Sequence, residues 1–340
     1  MRVGIELPGE LRAVQAHLGR ALERVSRRFD DQLACDLPPV RALCEHVERY
    51  RGKMLRPTLV LACGLATQPD GADAQLTDDH ITLAAVCEMV HMATLVHDDV
   101  LDEADTRRRG ATVNRLRGNE AAVILGDYLI ASAFHLCSQT RSQEPSLVVG
   151  RASMDMAAGE LLQLHNREDY SIDEATYFEI VRRKTGALIA AACRLGALAS
   201  GASAALCEAF SCFGQSLGVA FQIQDDLLDL TGRQGVVGKN VGKDAEKGKL
   251  TLPVIHHLAE CSVRQRAETL SILSRLAQGE HSGTGEQLVQ ALDSTGSLER
   301  ARQEAVRLVR EARECLAGLA ISPARQLIEL MAESAVDRAF

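Results

Sequence analysis

The 340-residue chain has no tryptophan, and aromatic residues make up 3% of it. It also lacks a basic excess. Lys and Arg number 38 against 46 Asp and Glu, a net charge of −8. That balance argues against nucleic acid as the main partner, because a phosphate backbone calls for a basic surface. The ten cysteines form no C-x-x-C pair and no metal-ligand spacing; Cys207 and Cys212 are the closest two. Most sit in Ala/Leu-rich runs, which points to reduced thiols buried as small apolar residues in a cytoplasmic protein. The opening MRVGIELPGELRA has no signal-peptide core, and no run of 18 purely apolar residues occurs. The expectation is therefore a cytoplasmic location without stable membrane insertion. Neither G-x-x-x-x-G-K-[ST] nor G-x-S-x-G is present, and no Cys/His pair has a recognisable spacing. A Walker A loop and a nucleophile-plus-base hydrolase are thereby set aside.

What remains is long, Ala/Leu-rich and helical in its spacing. The eight prolines fall mostly at segment edges, and alternating strand patterns are almost absent. Gly and Asp/Pro punctuation marks about a dozen helices, at roughly 9–33, 36–49, 55–67, 78–104, 119–141, 145–165, 173–200, 203–230, 251–261, 263–278, 285–317 and 323–337. No linker or composition shift divides them. The expectation is an all-α fold in a single domain over 1–340.

One stretch breaks the apolar pattern. His91 to Arg109 reads HMATLVHDDVLDEADTRRR, where five acids follow residues that want burial. Like charges one helical turn apart destabilise a helix by a few tenths of a kcal/mol per pair. On a helix, His91, Thr94, Leu95, Asp98 and Asp102 share one face. Carboxylates one turn apart can hold a hard divalent cation through oxygen ligands. Alone, the stretch reads equally well as a solvated acidic helix end. A second copy of Asp-Asp-x-x-Asp, in FQIQDDLLD at 221–229, changes that balance. With 21 Asp in 340 residues, chance supplies about 0.08 such patterns per chain. Asp98, Asp99, Asp102, Asp225, Asp226 and Asp229 are thus candidate ligands of a site with two or three metals. The pairs Asp30–Asp31 and Asp78–Asp79 lack the third acid and receive no role.

Metals held by carboxylates alone keep positions open for substrate phosphates, and the sequence supplies matching cations. Lys53 and Arg56 stand three apart at a helix start, where free backbone N–H groups also favour anions. Arg107 and Arg108 follow the first cluster, and Lys184-Thr185 interrupts a helical run. After the second cluster comes GRQGVVGKNVGKDAEKGKLTLP, in which Lys239, Lys243, Lys247 and Lys249 alternate with glycines. Beside an acid cluster this reads as a basic flap over phosphate. Taken singly, His91 is a routine core histidine, Gln222 a routine buried polar group and the triple arginine a surface charge run.

Together, Gly52-Lys53-x-x-Arg56, the two aspartate clusters, Arg107-Arg108, Lys184-Thr185, Gln222 and GKLTLP at 248–253 closely resemble the trans-isoprenyl diphosphate synthases, or polyprenyl synthetases. The resemblance covers roughly 45–260. It implies antiparallel helices around a deep central cavity, a homodimer, and two or three Mg2+ ions per active site. By resemblance, Gly52, Lys53, Arg56, His91 and Arg108 bind isopentenyl diphosphate. Arg107, Lys184 and Lys249 hold an allylic diphosphate, with Mg2+ bound mainly by Asp98, Asp102 and Asp225. Lys184, Thr185 and Gln222 serve catalysis, and Thr185, Gln222 and Lys239 lie near the reacting allylic carbon. The family usually has Gly directly after the paired arginines, whereas this chain has Arg109 before Gly110.

The implied reaction condenses isopentenyl diphosphate with an allylic primer, with transient membrane contact for product release. Thr94 and Ala93, four and five residues before Asp98, lie about 6–7.5 Å below it along a helix. There a short product's tail would end, and both residues are small, as in long-chain members making about six to ten isoprene units. There is no two-residue insertion between Asp99 and Asp102. The alternatives are a short-chain farnesyl or geranylgeranyl diphosphate synthase and a non-catalytic subunit of a heteromeric synthase. A class I terpene cyclase fits poorly, because such pockets are rich in aromatic residues.

Overall fold

The structure, a computed structural model, describes residues 9–48, 50–68, 75–108, 110–232, 242–280 and 282–337. They cluster into two compact units. The first comprises residues 1–153, 188–212 and 316–329, and the second 154–187, 213–315 and 330–340.

The first unit is built on α4 (Asp78–Leu101), against which α1 (Gly9–Leu33), α3 (Leu55–Ala66) and α6 (Asn119–Cys137) pack. From Ile81 to Val90 every residue of α4 is buried, as are Met92, Ala93 and Val96. A helix without a polar face belongs inside a core, and each buried Leu, Ile, Val or Met adds about 1.5–3 kcal/mol. Its start is well specified. Thr77 caps it, the Thr77 amide donates to His80 Nδ1 at 3.1 Å, and Asp78 and Asp79 fill the first turn. Carboxylates there meet the positive end of the helix dipole. The helices α2 (Pro38–Glu48) and α5 (Val113–Arg117) complete the neighbourhood of the α4 C-terminus.

Residues of α7 (Glu144–His165) and α10 (Ala204–Thr231) belong to both units. The second unit also contains α8 (Glu174–Val181), α11 (Lys243–Glu246), α12 (Leu252–Glu260), α13 (Val263–Ala277), α14 (Thr284–Ser294) and α15 (Ser297–Cys315). Here α12 packs on α15, α14 and α8, with α13 on α14. The buried His257 ring ties this group together, reaching Thr295 Oγ1 and Thr269 Oγ1 at 2.9 Å each. The remaining helices, α9 (Ala187–Ala199) and α16 (Pro323–Val336), close the element order.

The all-α expectation holds, with corrections. The helix expected at 173–200 is α8 and α9 joined by a π-helical turn, Arg182–Gly186. The helix expected at 285–317 divides at Gly296, whose φ of 67° ends α14 and admits α15. The helices expected at 78–104 and 119–141 stop at Leu101 and Cys137. Sequence patterning also missed α5, α11 and an antiparallel pair of two-residue strands, β1 (Thr106–Arg107) and β2 (Gly110–Ala111). Such short elements have too few residues to show a period. By length and composition α4, α6 and α10 could each cross a membrane, but 78% of the relevant α4 window is buried within the protein. All ten cysteines are free, six of them buried, with Cys212 exposed.

Candidate active site

In the first unit, Asp98 and Asp99 occupy the last turn of α4 and Asp102 caps it. Carboxylates at this end face the negative pole of the helix dipole, a placement that costs about 0.3–1 kcal/mol each unless a cation compensates. The chain then reverses through Glu103 (φ 49°) and Arg108 (φ 47°), left-handed conformations uncommon outside glycine. The reversal pairs Arg107 with Gly110 across β1 and β2. It also brings Arg107 Nε and Nη2 to Asp99 Oδ1 at 2.8 and 2.7 Å. Arg109 lies outside the described residues.

Buried Tyr50 anchors this corner. Its carbonyl accepts from Arg108 Nη1, and its hydroxyl accepts from the Val113 amide at 3.0 Å. Burial and the nearby Asp99 charge push the Tyr50 phenol up to about 12. The Arg108 guanidinium occupies the space that a Cβ on Gly52 would need, so any side chain there would push the guanidinium aside. His91 is surrounded by cations. Burial first, then the charges of Arg56, Arg108 and Arg107, hold its pKa well below 6.5 and keep the ring neutral. Buried Glu88, one turn earlier on α4, faces Arg56, Arg108 and Arg51, and burial raises its pKa despite them. The set is a half-buried concentration of guanidinium groups beside a neutral imidazole, suited to an anion with several oxygens. Lys53 is exposed on the turn before α3.

In the second unit, the π-helical turn carries Lys184 and Thr185. A π-turn leaves carbonyls without their usual donors, and Gln215 Nε2 supplies one to Arg182 O at 3.0 Å. Gly159 of α7 lies so close that a Cβ on it would stand 2.7 Å from Lys184 N and 2.8 Å from Arg183 Cβ. Lys184 Nζ bonds Gln163 Oε1 at 3.0 Å and pairs with Glu160. Thr185 Oγ1 donates to Gln222 Oε1 at 2.9 Å. Gln222 Nε2 donates to Asp226 Oδ1 at 2.8 Å, and Tyr177 donates to Asp226 Oδ2 at 2.7 Å. Lys184, Thr185, Gln222, Asp226, Asp244 and Lys249 line one cavity of about 190 Å3, with Ile180, Val181 and Leu250 as apolar wall.

Asp229 Oδ2 accepts from the Asp244 amide at 3.2 Å, fixing the chain that leads to Lys249. Burial and the Asp244 charge raise Asp226 to about 8 and Asp229 to about 6. Lys239 lies outside the described residues.

These contacts divide the acids. Asp99 spends an oxygen on Arg107 and Asp226 spends both on Gln222 and Tyr177, and both residues are buried. Each therefore also positions neighbouring side chains, and Asp99 keeps its second oxygen, Oδ2, buried without a hydrogen-bond partner among the described residues. Asp98, Asp102, Asp225 and Asp229 are half-buried. Among the described residues, no three His, Cys, Asp or Glu side chains gather closely enough to enclose a metal by themselves. In each unit, oxygen-only donors near a helix C-terminal end nevertheless fit a hard divalent cation that completes its shell with substrate phosphates. Sequence reasoning did not single out Tyr50, Glu88, Tyr177 or Asp244 as functional. The available signals were spacings: Glu88 one turn before His91, and Tyr177 two turns before Lys184.

Comparison with known proteins agrees with this chemistry. The polyprenyl synthetase family model matches residues 38–292. Octaprenyl diphosphate synthase of Escherichia coli is 34% identical over 308 residues, 91% of this chain and 93% of that one. A decaprenyl diphosphate synthase from Rhodobacter capsulatus superposes with a TM-score of 0.87 at 33% identity, over 96% of this chain and 98% of that one. A polyprenyl synthase from Caulobacter crescentus, complexed with calcium and isoprenyl diphosphate, superposes with a TM-score of 0.86 at 31% identity, covering 98% and 99%.

Proposed function

The chain belongs to the polyprenyl synthetase family of metal-dependent prenyltransferases, and on that premise we propose that it condenses isopentenyl diphosphate with an allylic diphosphate to give a long-chain trans-polyprenyl diphosphate. One observation carries this reading. Each unit sets an all-carboxylate cluster at a helix C-terminal end together with partly buried cationic side chains.

Arg56, His91 and Arg108, with Lys53, hold the diphosphate of isopentenyl diphosphate, and neutral His91 donates a hydrogen bond without adding charge. Lys184 and Lys249 hold the allylic diphosphate. Asp98 and Asp102 in one unit and Asp225 in the other would hold Mg2+, two or three ions in all, which when bound would supply positive charge against the leaving diphosphate. Thr185 and Gln222 stand beside the allylic carbon that becomes electron-poor. Ile180, Val181 and Leu250 keep water from that carbon, so that the isopentenyl double bond reaches it first. That double bond forms the new C–C bond, and the departed diphosphate takes the proton the condensed cation loses, leaving an allylic diphosphate one unit longer. Exposed Leu116, Val123 and Ile124 on α5 and α6 support a second copy of the chain as partner.

The test is the purified chain alone with Mg2+, labelled isopentenyl diphosphate and an allylic primer, its products extracted and resolved by length. The expected result is metal-dependent chains of about six to ten units, near the lengths named for the relatives above. Products that stop at three or four units would make it a short-chain enzyme. No condensation without an added second protein would make it a subunit.

A further inference from the structure

Tyr177 closes a chain of hydrogen bonds with a single direction. We infer that Tyr177 is a positioning residue: its hydroxyl fixes the orientation of the Gln222 amide through Asp226, and thereby turns the lone pairs of Thr185 toward the cavity.

The direction follows from donor and acceptor chemistry. Tyr177, buried on α8, donates to Asp226 Oδ2 at 2.7 Å. With the Tyr177 proton on Oδ2, Asp226 Oδ1 accepts from the Gln222 NH2 at 2.8 Å. The amide oxygen then faces Thr185 at 2.9 Å. Being an acceptor, it claims the one proton that Thr185 has to give. Thr185 therefore has only lone pairs to offer elsewhere. Thr185, Gln222, Asp226 and Tyr177 all line the same cavity with Lys184 and Lys249. An acceptor presented there attracts an electron-poor carbon and does not compete for the diphosphate oxygens, which the lysines take. The π-turn and the close approach of Gly159 hold Thr185 at this point.

Nothing in the shape of the Gln222 side chain distinguishes its two ends; only the partners do. With Tyr177→Phe, Asp226 Oδ2 loses its donor in a buried place, the carboxylate turns, and both orientations of the Gln222 amide become accessible. In the reversed orientation the amide donates to Thr185. The Thr185 proton then swings into the cavity and opposes positive charge on the allylic carbon.

The inference rests on the condensation proposed above, and the experiment separates the two. Steady-state kinetics are measured for the wild type, Tyr177→Phe, Thr185→Val and the double variant, each checked for folding by circular dichroism and thermal unfolding. Tyr177→Phe lowers kcat roughly tenfold, less than loss of a direct transition-state donor, while KM for either diphosphate changes less than about twofold. In the Thr185→Val background Tyr177→Phe has no further effect, because the residues act in series. Asp226→Asn, whose NH2 turns the Gln222 amide by another route, gives the same kcat loss with an unchanged magnesium requirement, and it serves if Tyr177→Phe does not fold. An unchanged kcat in Tyr177→Phe, a loss confined to KM, or losses that multiply in the double variant would overturn the inference. Absence of condensation by the wild type would instead overturn the proposed function.

Discussion

Replacing Asp99 with Asn keeps the side chain's shape and removes its charge. Arg107 reaches Asp99 Oδ1 through two nitrogens at 2.8 and 2.7 Å, and the Asp99 side chain is 2% exposed against 26% for Arg107. A hydrogen bond to a charged group contributes about 1.5–3 kcal/mol and a neutral one about 0.5–1.5 kcal/mol. The substitution therefore forfeits roughly 1–2 kcal/mol, a factor of about 5–30 in an equilibrium. The same contact holds the 106–111 strand pair in the free protein and, on the proposed reading, aims Arg107 at the allylic diphosphate in the complex. Urea unfolding should show stability lower by about 1–2 kcal/mol. Steady-state kinetics should show KM for the allylic primer raised about 5- to 30-fold, with the magnesium concentration for half-maximal rate unchanged. A shifted magnesium requirement at full stability would refute the reasoning and make Asp99 a metal ligand.

His91→Ala should raise KM for isopentenyl diphosphate and leave that for the allylic primer nearly unchanged; the reverse pattern would move His91 to the other diphosphate. The same residue affects stability against pH. Its folded pKa lies well below 6.5, so the unfolded chain takes up the proton first as pH falls. Its contribution is complete above about pH 6.5 and is lost below it, and His91→Ala should flatten free-protein stability between about pH 7 and 5. Gly159→Ala puts a Cβ 2.7 Å from Lys184 N. Such overpacking costs about 1–3 kcal/mol, and thermal unfolding together with a fall in kcat should register the displaced π-turn. Ala93 has no accessible surface while Thr94 is half-buried. Thr94→Phe should therefore shorten the extracted products, whereas Ala93→Tyr should mainly destabilise the fold; unchanged product length in Thr94→Phe would place the floor elsewhere.

The outer acids were legible from spacing, because residues one turn apart share a face whatever surrounds the helix. Which member of each Asp-Asp pair faces inward was not legible. The answer depends on Arg107 folding back across a two-residue strand pair, and on Tyr177 arriving from another helix to join Gln222, one turn before Asp226, on its carboxylate. Tyr50 and Tyr177 were invisible for a related reason. A lone aromatic residue in an apolar run looks like core, and only its hydroxyl's partner shows otherwise. The break at Lys184-Thr185 was legible as an interruption, but its π geometry depends on Gln215 and on the absence of a side chain at Gly159. The split at Gly296 was readable in principle, since glycine just past a helix end is a common stop, but the amphipathic spacing that continues on either side hid it.

The central claim is that metal-diphosphate binding by both acid clusters drives the reaction. Its most direct measurement is the condensation rate of purified Asp98→Ala, Asp225→Ala and the double variant across a magnesium titration, with folding confirmed for each. Each single change should lower turnover by at least about a hundredfold, comparable to losing one strong transition-state stabiliser. The double change should cost far less than the product of the two, because residues that act together are not additive. Near-normal turnover in either single variant, at an unshifted magnesium requirement, would contradict the account.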